Sequence, residues 1–371
     1  MPIHVKIEID PWGDKLVQEN DSLFSEFGLQ HFDDGLLAKV GPASVNFRRK
    51  LVFAHRDFDK FVSAAEAGKP VAVMSGIKPS GAFHLGSKMT AEEIIAIQKR
   101  FKAKAFYCIA DLEAYADNGI SLEVGEKIAI DNVADLLALG LDEKNAFIYR
   151  QSRCQNVSNL AFLASKKTTL ATLEALYGHQ NLGLYFSVLT QAGDILQPQL
   201  KEFGGPKHVV VPVGLDQDPH IRFTRDVAFK FREEFGFIPP AATFHKTMRS
   251  LSGETKMSKR DPLSMLTLSD DLELAKKKVA RAFTGGRATA EEQKRLGGEI
   301  KKCVVFELMF YHFQPDDAVL SRMSSECVSG TNLCGECKKK YALDVVADYL
   351  KKHQEKKKKL AKKAEKLVLG N

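Results

Sequence analysis

Five short apolar runs alternate with longer amphipathic stretches between residues 71 and 245, and this alternation restricts the fold more than any other feature of the chain. Alternating strands and helices predict a doubly wound parallel sheet, because each crossover helix brings the chain back to the same end of the sheet. We therefore expect an α/β domain with a Rossmann-like sheet. The predicted strands are Val71 to Ser75, Ala105 to Ala110, Ala146 to Tyr149, His208 to Val213 and Thr243 to His245.

Two segments depart from this alternation. Residues 1–62 combine a short β-like opening with helical stretches, and they contain Trp12, the only tryptophan. Between Asn156 and Leu200 the pattern is that of two or three consecutive helices. We therefore expect a helical insertion at about residues 150–200, between the two halves of the sheet. An insertion there is a natural place for a subunit contact or a substrate lid.

The strand pattern ends after Pro262, and the rest of the chain is predicted to be helical. Ser269 and the box Thr289-x-x-Glu292 have the composition of helix N-termini. The chain is thus expected to have three parts. They are an N-terminal segment over residues 1–62, a catalytic domain over residues 63–265 and an all-α domain over residues 266–371.

Two short segments, far apart in the chain, together predict an ATP site. The first, Pro79-Ser-Gly-Ala-Phe-His84-Leu-Gly86-Ser87, joins a predicted strand to an amphipathic stretch. Gly86 lets a nucleotide approach the backbone, His84 can donate to a phosphate oxygen, and the helix N-terminus adds positive charge. The second, Lys256-Met257-Ser258-Lys259-Arg260, has the composition of a cationic loop able to close over a triphosphate. Either segment alone is more often a chance match or a solvated turn.

The order and spacing of these segments resemble the two signatures of the class I aminoacyl-tRNA synthetases, His-Ile-Gly-His and Lys-Met-Ser-Lys-Ser. Ser87 stands where that family often has its second histidine, and Arg260 stands for the last serine. Further segments, spread over most of the chain, resemble the tryptophanyl-tRNA synthetases of archaeal and eukaryotic type. They are Asp10-Pro-Trp12, Phe53 to Phe58, Ile109 to Tyr115, Gln191 to Leu196, Gly214 to Asp226 and Thr284 to Gln293.

The resemblance implies ATP-dependent activation of L-tryptophan to tryptophanyl-adenylate and transfer to tRNA(Trp), with Mg2+ accompanying ATP. It also implies a homodimer. The implied catalytic residues are His84, Lys256, Ser258 and Lys259. The implied ATP-binding residues are His84, Gly86, Ser87, Gly214, Leu215, Lys256 and Met257. The implied amino-acid-binding residues are Met74, Gly76, Cys108, Glu113, Gln191 and Gln217.

Two of these positions differ from many members of that family. Met74 and Cys108 stand where tyrosine and glutamine are frequent, so a more apolar pocket is expected. This leaves open the activation of tyrosine, as by a tyrosyl-tRNA synthetase, or of another aromatic amino acid. A catalytically silent paralogue that binds RNA is a further alternative, against which the retained signature residues argue. Taken without the resemblance, Glu113 is more simply a helix-cap or salt-bridge carboxylate, and Gln191 a core amide.

Four cysteines of the predicted all-α domain form a candidate metal site. Cys303, Cys327, Cys334 and Cys337 are separated by 23, 6 and 2 residues. Four thiolates suit an iron–sulfur cluster or tetrahedral zinc, and some bacterial members of the resembled family hold a [4Fe-4S] cluster on a similar set. We expect a structural [4Fe-4S] cluster or Zn2+ here, with His312 as a substitute ligand for Cys303. The alternative is that the last two cysteines are simply neighbours on a helix.

The net charge of +7 is concentrated at the end of the chain, since Lys351 to Lys366 holds nine lysines against two glutamates. This basic stretch is expected either to contact phosphates or to be a solubilising terminal helix. No apolar run approaches membrane-spanning length, and the first residues lack the regions of a signal peptide. We therefore expect a cytoplasmic location and no membrane partner.

Overall fold

The structure, a computed structural model, describes residues 24, 27–41, 44–253 and 263–370. Several sequence predictions lie outside these residues: the β-like opening and Trp12, and all of Lys256, Met257, Ser258 and Lys259.

One seven-stranded sheet forms the centre of the described residues, and it contains all five predicted strands. The five are mutually parallel, which confirms the predicted doubly wound fold. The strands are β1 (Gln30–His31), β2 (Val52–Arg56), β3 (Val71–Ile77), β4 (Lys104–Ile109), β5 (Ala146–Arg150), β6 (His208–Gly214) and β7 (Ala241–His245), in the spatial order β1-β2-β7-β6-β3-β4-β5.

Strands β1 and β2 add an antiparallel edge that the sequence pattern does not predict. The first four residues of β2 are buried on both faces, so the run lacks the alternation of a half-exposed strand. Pairing with β7 decides its conformation, with His55 opposite Thr243 and Arg56 opposite Ala242.

Helices surround the sheet, and the regular elements described after residue 271 are all helical. The insertion consists of three consecutive helices, as predicted, and no helix within the described ranges is long and apolar enough to cross a membrane. The helices are α1 (Asp34–Val40), α2 (Val45–Arg48), α3 (Phe58–Glu66), α4 (Leu85–Phe101), α5 (Asp111–Asn118), α6 (Leu122–Leu139), α7 (Gln155–Lys166), α8 (Leu170–Tyr177), α9 (Leu182–Leu196), α10 (Asp218–Lys230), α11 (Arg232–Phe235), α12 (Leu272–Arg281), α13 (Ala290–Leu296), α14 (Val304–Leu308), α15 (Asp317–Val328), α16 (Cys334–Lys338) and α17 (Asp344–Leu369).

One of the two predicted helix starts is correct. Thr289 caps α13 by accepting from the backbone N–H of Glu292 (3.1 Å), as the capping box predicts. Ser269 does not cap α12, because Asp271 takes that position and accepts from the next turn. The hydroxyl of Ser269 instead accepts from Nζ of Lys357 at 2.7 Å.

The basic C-terminal helix α17 is packed firmly onto the rest of the molecule. Its apolar face buries Ala364 and Val368 in a cluster formed largely by α6. Two of its side chains reach the fully buried carboxylate of Asp135, where His353 Nε2 and Lys357 Nζ each lie 2.8 Å from a carboxylate oxygen. Helix α17 is therefore an integral part of the fold, and only its outer face meets solvent.

Candidate active site

A cavity of about 430 Å3 opens at the C-terminal ends of β3 and β6. These adjacent strands lead the chain in opposite directions across the sheet, β3 toward β4 and β6 toward β7. Open α/β sheets bind ligands at such switch points, because the diverging connections leave a crevice there. The sequence-predicted residues that line this cavity are Met74, Gly76, His84, Gly86, Ser87, Cys108, Glu113, Gln191, Gly214 and Gln217.

Leu215 is the one described residue of the predicted set that is not part of the cavity lining. Its side chain is only 2% exposed and packs in an apolar cluster with Val211 and Ile221. Any part of Leu215 in nucleotide binding is therefore restricted to its backbone.

The turn between β3 and α4 has the geometry of a nucleotide-binding helix start. His84 is the N-cap of α4, and its Nδ1 accepts from the backbone N–H of Ser87 at 3.3 Å. In the neutral imidazole this leaves the proton on Nε2, which makes Nε2 a donor. A side chain at Gly86 would place its Cβ 2.9 Å from Cε1 of His84. Glycine is thus needed here for the histidine ring to lie against the helix start.

Residues after the second signature hold this turn in place, which the sequence did not predict. His84 forms an antiparallel bridge with Thr267, and Leu85 N donates to Leu266 O at 3.2 Å. Farther out, Leu251 N donates to Ser264 O at 2.7 Å. Leu251 and Ser264, which lie before and after the lysine-bearing segment, are therefore joined by a hydrogen bond. The residues that follow Ser264 are in turn bonded to the histidine-bearing turn.

Strands β3 and β4 approach closely at the floor of the cavity. A Cβ at Gly76 would lie 2.6 Å from the carbonyl oxygen of Cys108 and 2.9 Å from its Cβ, so only glycine fits. Burial raises the pKa of the Cys108 thiol well above its usual range, which keeps it protonated. This thiol is hydrogen-bonded to Asp194.

Asp194 is the main site residue that sequence reasoning missed. It belongs to α9 of the insertion, lines the cavity and is 2% exposed. Tyr149 Oη donates to its Oδ1 at 2.8 Å, and Gln151 Nε2 donates to its Oδ2 at 2.7 Å. Burial raises the pKa of Asp194 to about 7. A usable signal was present, because Asp194 follows Gln191 by three residues and so shares its helix face.

A second carboxylate also lines the cavity. Glu113, from α5, lies with Oε1 3.7 Å from Nζ of Lys78, which also bonds to Asp117. This ion pair agrees with the salt-bridge alternative for Glu113 and does not conflict with ligand binding, because both Lys78 and Glu113 line the cavity. Gln191 is partly exposed to the cavity and is not a buried core amide.

His245 completes the lining at the end of β7. Its Nδ1 lies 2.9 Å from Oε2 of Glu93, a fully buried carboxylate of α4 that also accepts from Thr243 Oγ1. This pair could not be predicted from the sequence, since its members come from a helix and a strand that meet only in the folded protein.

The four cysteines of the helical region lie close enough to influence one another electrostatically. Burial, together with the neighbouring Cys303, Cys327 and Cys334, raises the pKa of Cys337 to about 12. No group of three or more His, Cys, Asp or Glu side chains in the described ranges is arranged to hold a metal ion. The expected substitute ligand His312 lies elsewhere, with Nδ1 3.4 Å from Nζ of Lys88.

Comparison with known proteins gives one consistent family. A family model described as "tRNA synthetases class I (W and Y)" matches residues 66–364. A tryptophan–tRNA ligase of Aeropyrum pernix is 43% identical over 97% of this chain and 97% of that relative. A second, of Methanocaldococcus jannaschii, is 40% identical over 98% of this chain and 99% of its own. The crystal structure of the tryptophanyl-tRNA synthetase from Aeropyrum pernix covers 97% of this chain and 98% of its own, with a TM-score of 0.90 and 43% identity. One from Encephalitozoon cuniculi, bound to tryptophan, covers 95% and 98% at a TM-score of 0.82 and 26% identity.

Proposed function

Because the chain belongs to the class I tRNA synthetases for tryptophan and tyrosine, and its archaeal relatives are tryptophan–tRNA ligases, its activity is that of a tryptophan–tRNA ligase, and we propose that the cavity between β3 and β6 carries it. The family uses ATP with Mg2+. One observation supports the location above all. The predicted nucleotide-binding turn at His84 and Gly86 and the predicted amino-acid-binding residues Glu113, Gln191 and Gln217 line a single cavity.

Asp194 is proposed as the group that recognises the indole. An indole N–H can only donate, so a buried tryptophan ring requires an acceptor in its pocket. The carboxylate of Asp194 already interacts with Tyr149, Gln151 and the Cys108 thiol, and its two oxygens offer about four lone-pair sites, which leaves one for a further donor. Met74 and Cys108 add the apolar surroundings that an aromatic ring favours.

The remaining polar groups are proposed to orient the amino-acid head toward ATP. Glu113, with Gln191 and Gln217, would hold the α-ammonium group, which leaves the substrate carboxylate to attack the α-phosphate. No protein nucleophile is needed, so the contribution of the enzyme is positioning and stabilisation of phosphate charge. The imidazole of His84 would donate to a phosphate oxygen, together with the N-terminus of α4 at Ser87.

The second signature is proposed, on the family resemblance, to hold the leaving pyrophosphate. Lys256 and Lys259 would supply positive charge, assisted by Ser258 and Met257. Gly214 and Leu215 would contact ATP through their backbone. Mg2+ would be held mainly by phosphate oxygens and water.

Exchange of pyrophosphate with ATP tests this assignment without tRNA. Tryptophan should support exchange and tyrosine should not. Glu113→Gln should raise the KM for tryptophan by about tenfold with little effect on the KM for ATP, because it removes one charge-assisted contact. Glu123→Gln on the exposed start of α6 is the matched control. Exchange with tyrosine alone, or equal effects of both variants, would contradict the proposal.

The chain is further proposed to act in the cytoplasm as a homodimer of three-part subunits. The parts are an N-terminal segment over residues 1–62, a catalytic domain over residues 63–265 with its insertion, and an anticodon-binding domain over residues 266–371. The insertion exposes Phe162 (74%) and Leu182 (80%), apolar side chains that association would cover. Leu182→Lys should shift the sedimentation of the protein to that of a monomer. The control Leu296→Lys, on the helical region, should leave the dimer intact.

The four cysteines are proposed to hold a [4Fe-4S] cluster or Zn2+. The residues fit such a group chemically, because four thiols lie near one another and two of them, Cys327 and Cys334, adjoin glycine backbone. Cβ atoms at Gly298 and Gly286 would lie 2.8 Å from Sγ of Cys327 and 3.0 Å from Sγ of Cys334. The group would tie α14, α15 and α16 together and have no part in the reaction. Elemental analysis of protein purified without oxygen should find iron or zinc, and Cys327→Ser should lower the metal content per chain.

A further inference from the structure

The outer face of α17 carries a row of lysines that the proposed chemistry does not use. Successive members are four and three residues apart, so they lie on one face of the helix. At a rise of about 1.5 Å per residue, the row extends over about 21 Å. Its members, termed here the lysine row, are Lys352, Lys356, Lys359, Lys363 and Lys366, and all are exposed.

The positive charge of the lysine row is largely uncompensated. Of its members, only Lys363 has an ion pair among the residues that the structure describes, with Glu143 at 2.7 Å. Glu365 of the same helix lies about 140° around the axis from the centre of the row. Glu355 is three residues after Lys352 and four before Lys359, but no ion pair joins it to either lysine within the part of the chain that the structure describes. Like charges at spacings of three and four residues repel each other and weaken the helix that carries them. A merely solubilising surface avoids this by mixing charges of both signs.

The lysine row spans two regions of the molecule. The first half of α17 buries Val346 and Leu350 in the large core cluster, together with residues of the helical region. The second half buries Ala364 and Val368 against α6 of the sheet-bearing region. A tRNA that reaches the active site while contacting the helical region must extend over both regions, and the helix that carries the row packs against both.

We infer that the lysine row binds the phosphate backbone of a double-helical stem of the substrate tRNA. This rests on the proposed function. Evenly spaced ammonium groups without interleaved aromatic side chains suit backbone contact, since base recognition requires stacking or directed hydrogen bonds. An anionic membrane is the poorer match, because the apolar face of α17 is buried and cannot insert into lipid.

The same helix offers a matched control. The test variant is Lys352→Gln with Lys356→Gln and Lys359→Gln, and the control variant replaces the exposed lysines at 351, 358 and 362 by glutamine. Both remove three charges from α17 and keep a residue of good helix propensity. Affinity for tRNA(Trp) transcript is measured by fluorescence anisotropy over a series of KCl concentrations. Pyrophosphate exchange without tRNA is measured in parallel.

The test variant should bind tRNA at least about tenfold more weakly at about 100 mM KCl. The slope of the logarithm of its affinity against the logarithm of the KCl concentration should be shallower by about 2, since each lost phosphate contact reduces that slope by roughly 0.7 to 0.9. The control variant should change affinity less than about threefold. Both variants should retain pyrophosphate exchange. If the proposed function is wrong, the unmodified protein itself shows no exchange, whereas a failure of the inference about the lysine row affects only tRNA binding.

Three results would overturn the inference. Equal losses in the two variants would mean that only the overall charge matters. Unchanged affinity in the test variant would exclude the row from RNA binding. Loss of sedimentation with phosphatidylserine vesicles, with tRNA affinity unchanged, would assign the row to a lipid surface. Circular dichroism of both variants must show unchanged helicity, which α17 should retain because its buried face is untouched.

Discussion

Asp194 is expected to lower the stability of the free enzyme. Burial raises the pKa of its carboxyl from 3.8 to about 7, so the folded protein binds this proton more tightly than the unfolded chain does. The contribution to stability is therefore fully present below pH 3.8, decreases as the pH rises toward 7, and is constant above it. Between pH 5 and pH 8 the loss amounts to about 2 to 3 kcal/mol.

Replacement of Asp194 by asparagine should remove this loss. The asparagine side chain is uncharged at every pH and can still accept from Tyr149. Its N–H can donate to Oε1 of Gln151 once the Gln151 amide, whose Nε2 now faces Asp194, has flipped. Asp194→Asn should therefore be more stable than the unmodified protein by about 1 to 3 kcal/mol at pH 8, and the difference should shrink toward pH 5.

The same substitution should damage tryptophan activation. Loss of a charged acceptor for the indole N–H is expected to lower kcat/KM for tryptophan in pyrophosphate exchange by about 10- to 100-fold. In the unmodified protein kcat/KM should rise between pH 6 and pH 8, because deprotonation of Asp194 creates that acceptor. The variant should lack this rise.

Urea titrations followed by circular dichroism at pH 5, 6, 7 and 8 measure the stability difference. Asp226→Asn, at a half-exposed carboxylate on α10, is the control and should show no such pH dependence. A stability difference independent of pH would refute the reasoning about the buried charge. Normal tryptophan kinetics in a folded Asp194→Asn protein would refute its assignment to the indole.

Three further substitutions test other parts of the structure. His84→Ala should lower kcat in pyrophosphate exchange at least about tenfold, since it removes a donor to phosphate. It should also destabilise the protein by about 1 kcal/mol in thermal unfolding, since it removes the N-cap of α4. Gly76→Ala should abolish tryptophan binding in calorimetry and lower the Tm, because its Cβ would lie 2.6 Å from the Cys108 carbonyl oxygen. Asp135→Asn should lower the free energy of unfolding by about 2 to 3 kcal/mol, since it weakens the hydrogen bond to His353 and the ion pair to Lys357 of α17; urea titration measures this.

Local sequence decided much of the fold, because the signals involved act over a few residues. The central strands are runs of apolar side chains buried on both faces, and all five were recognisable without tertiary information. The capping of α13 by Thr289 is likewise a contact across three residues. The turn at His84 and Gly86 could be recognised because strand, turn and helix follow one another directly in the chain.

Only the tertiary structure decided which distant groups share one environment. Strand β2 forms because β7 offers it a partner. Asp194 is indistinguishable in the sequence from an ordinary helix residue. In the fold, its helix α9 packs so that Cys108, Tyr149 and Gln151 surround the buried carboxylate. His312 was expected near Cys303 and lies beside Lys88 instead. The physical reason is that burial and electrostatic surroundings depend on residues brought together by folding, which spacing along the chain does not encode.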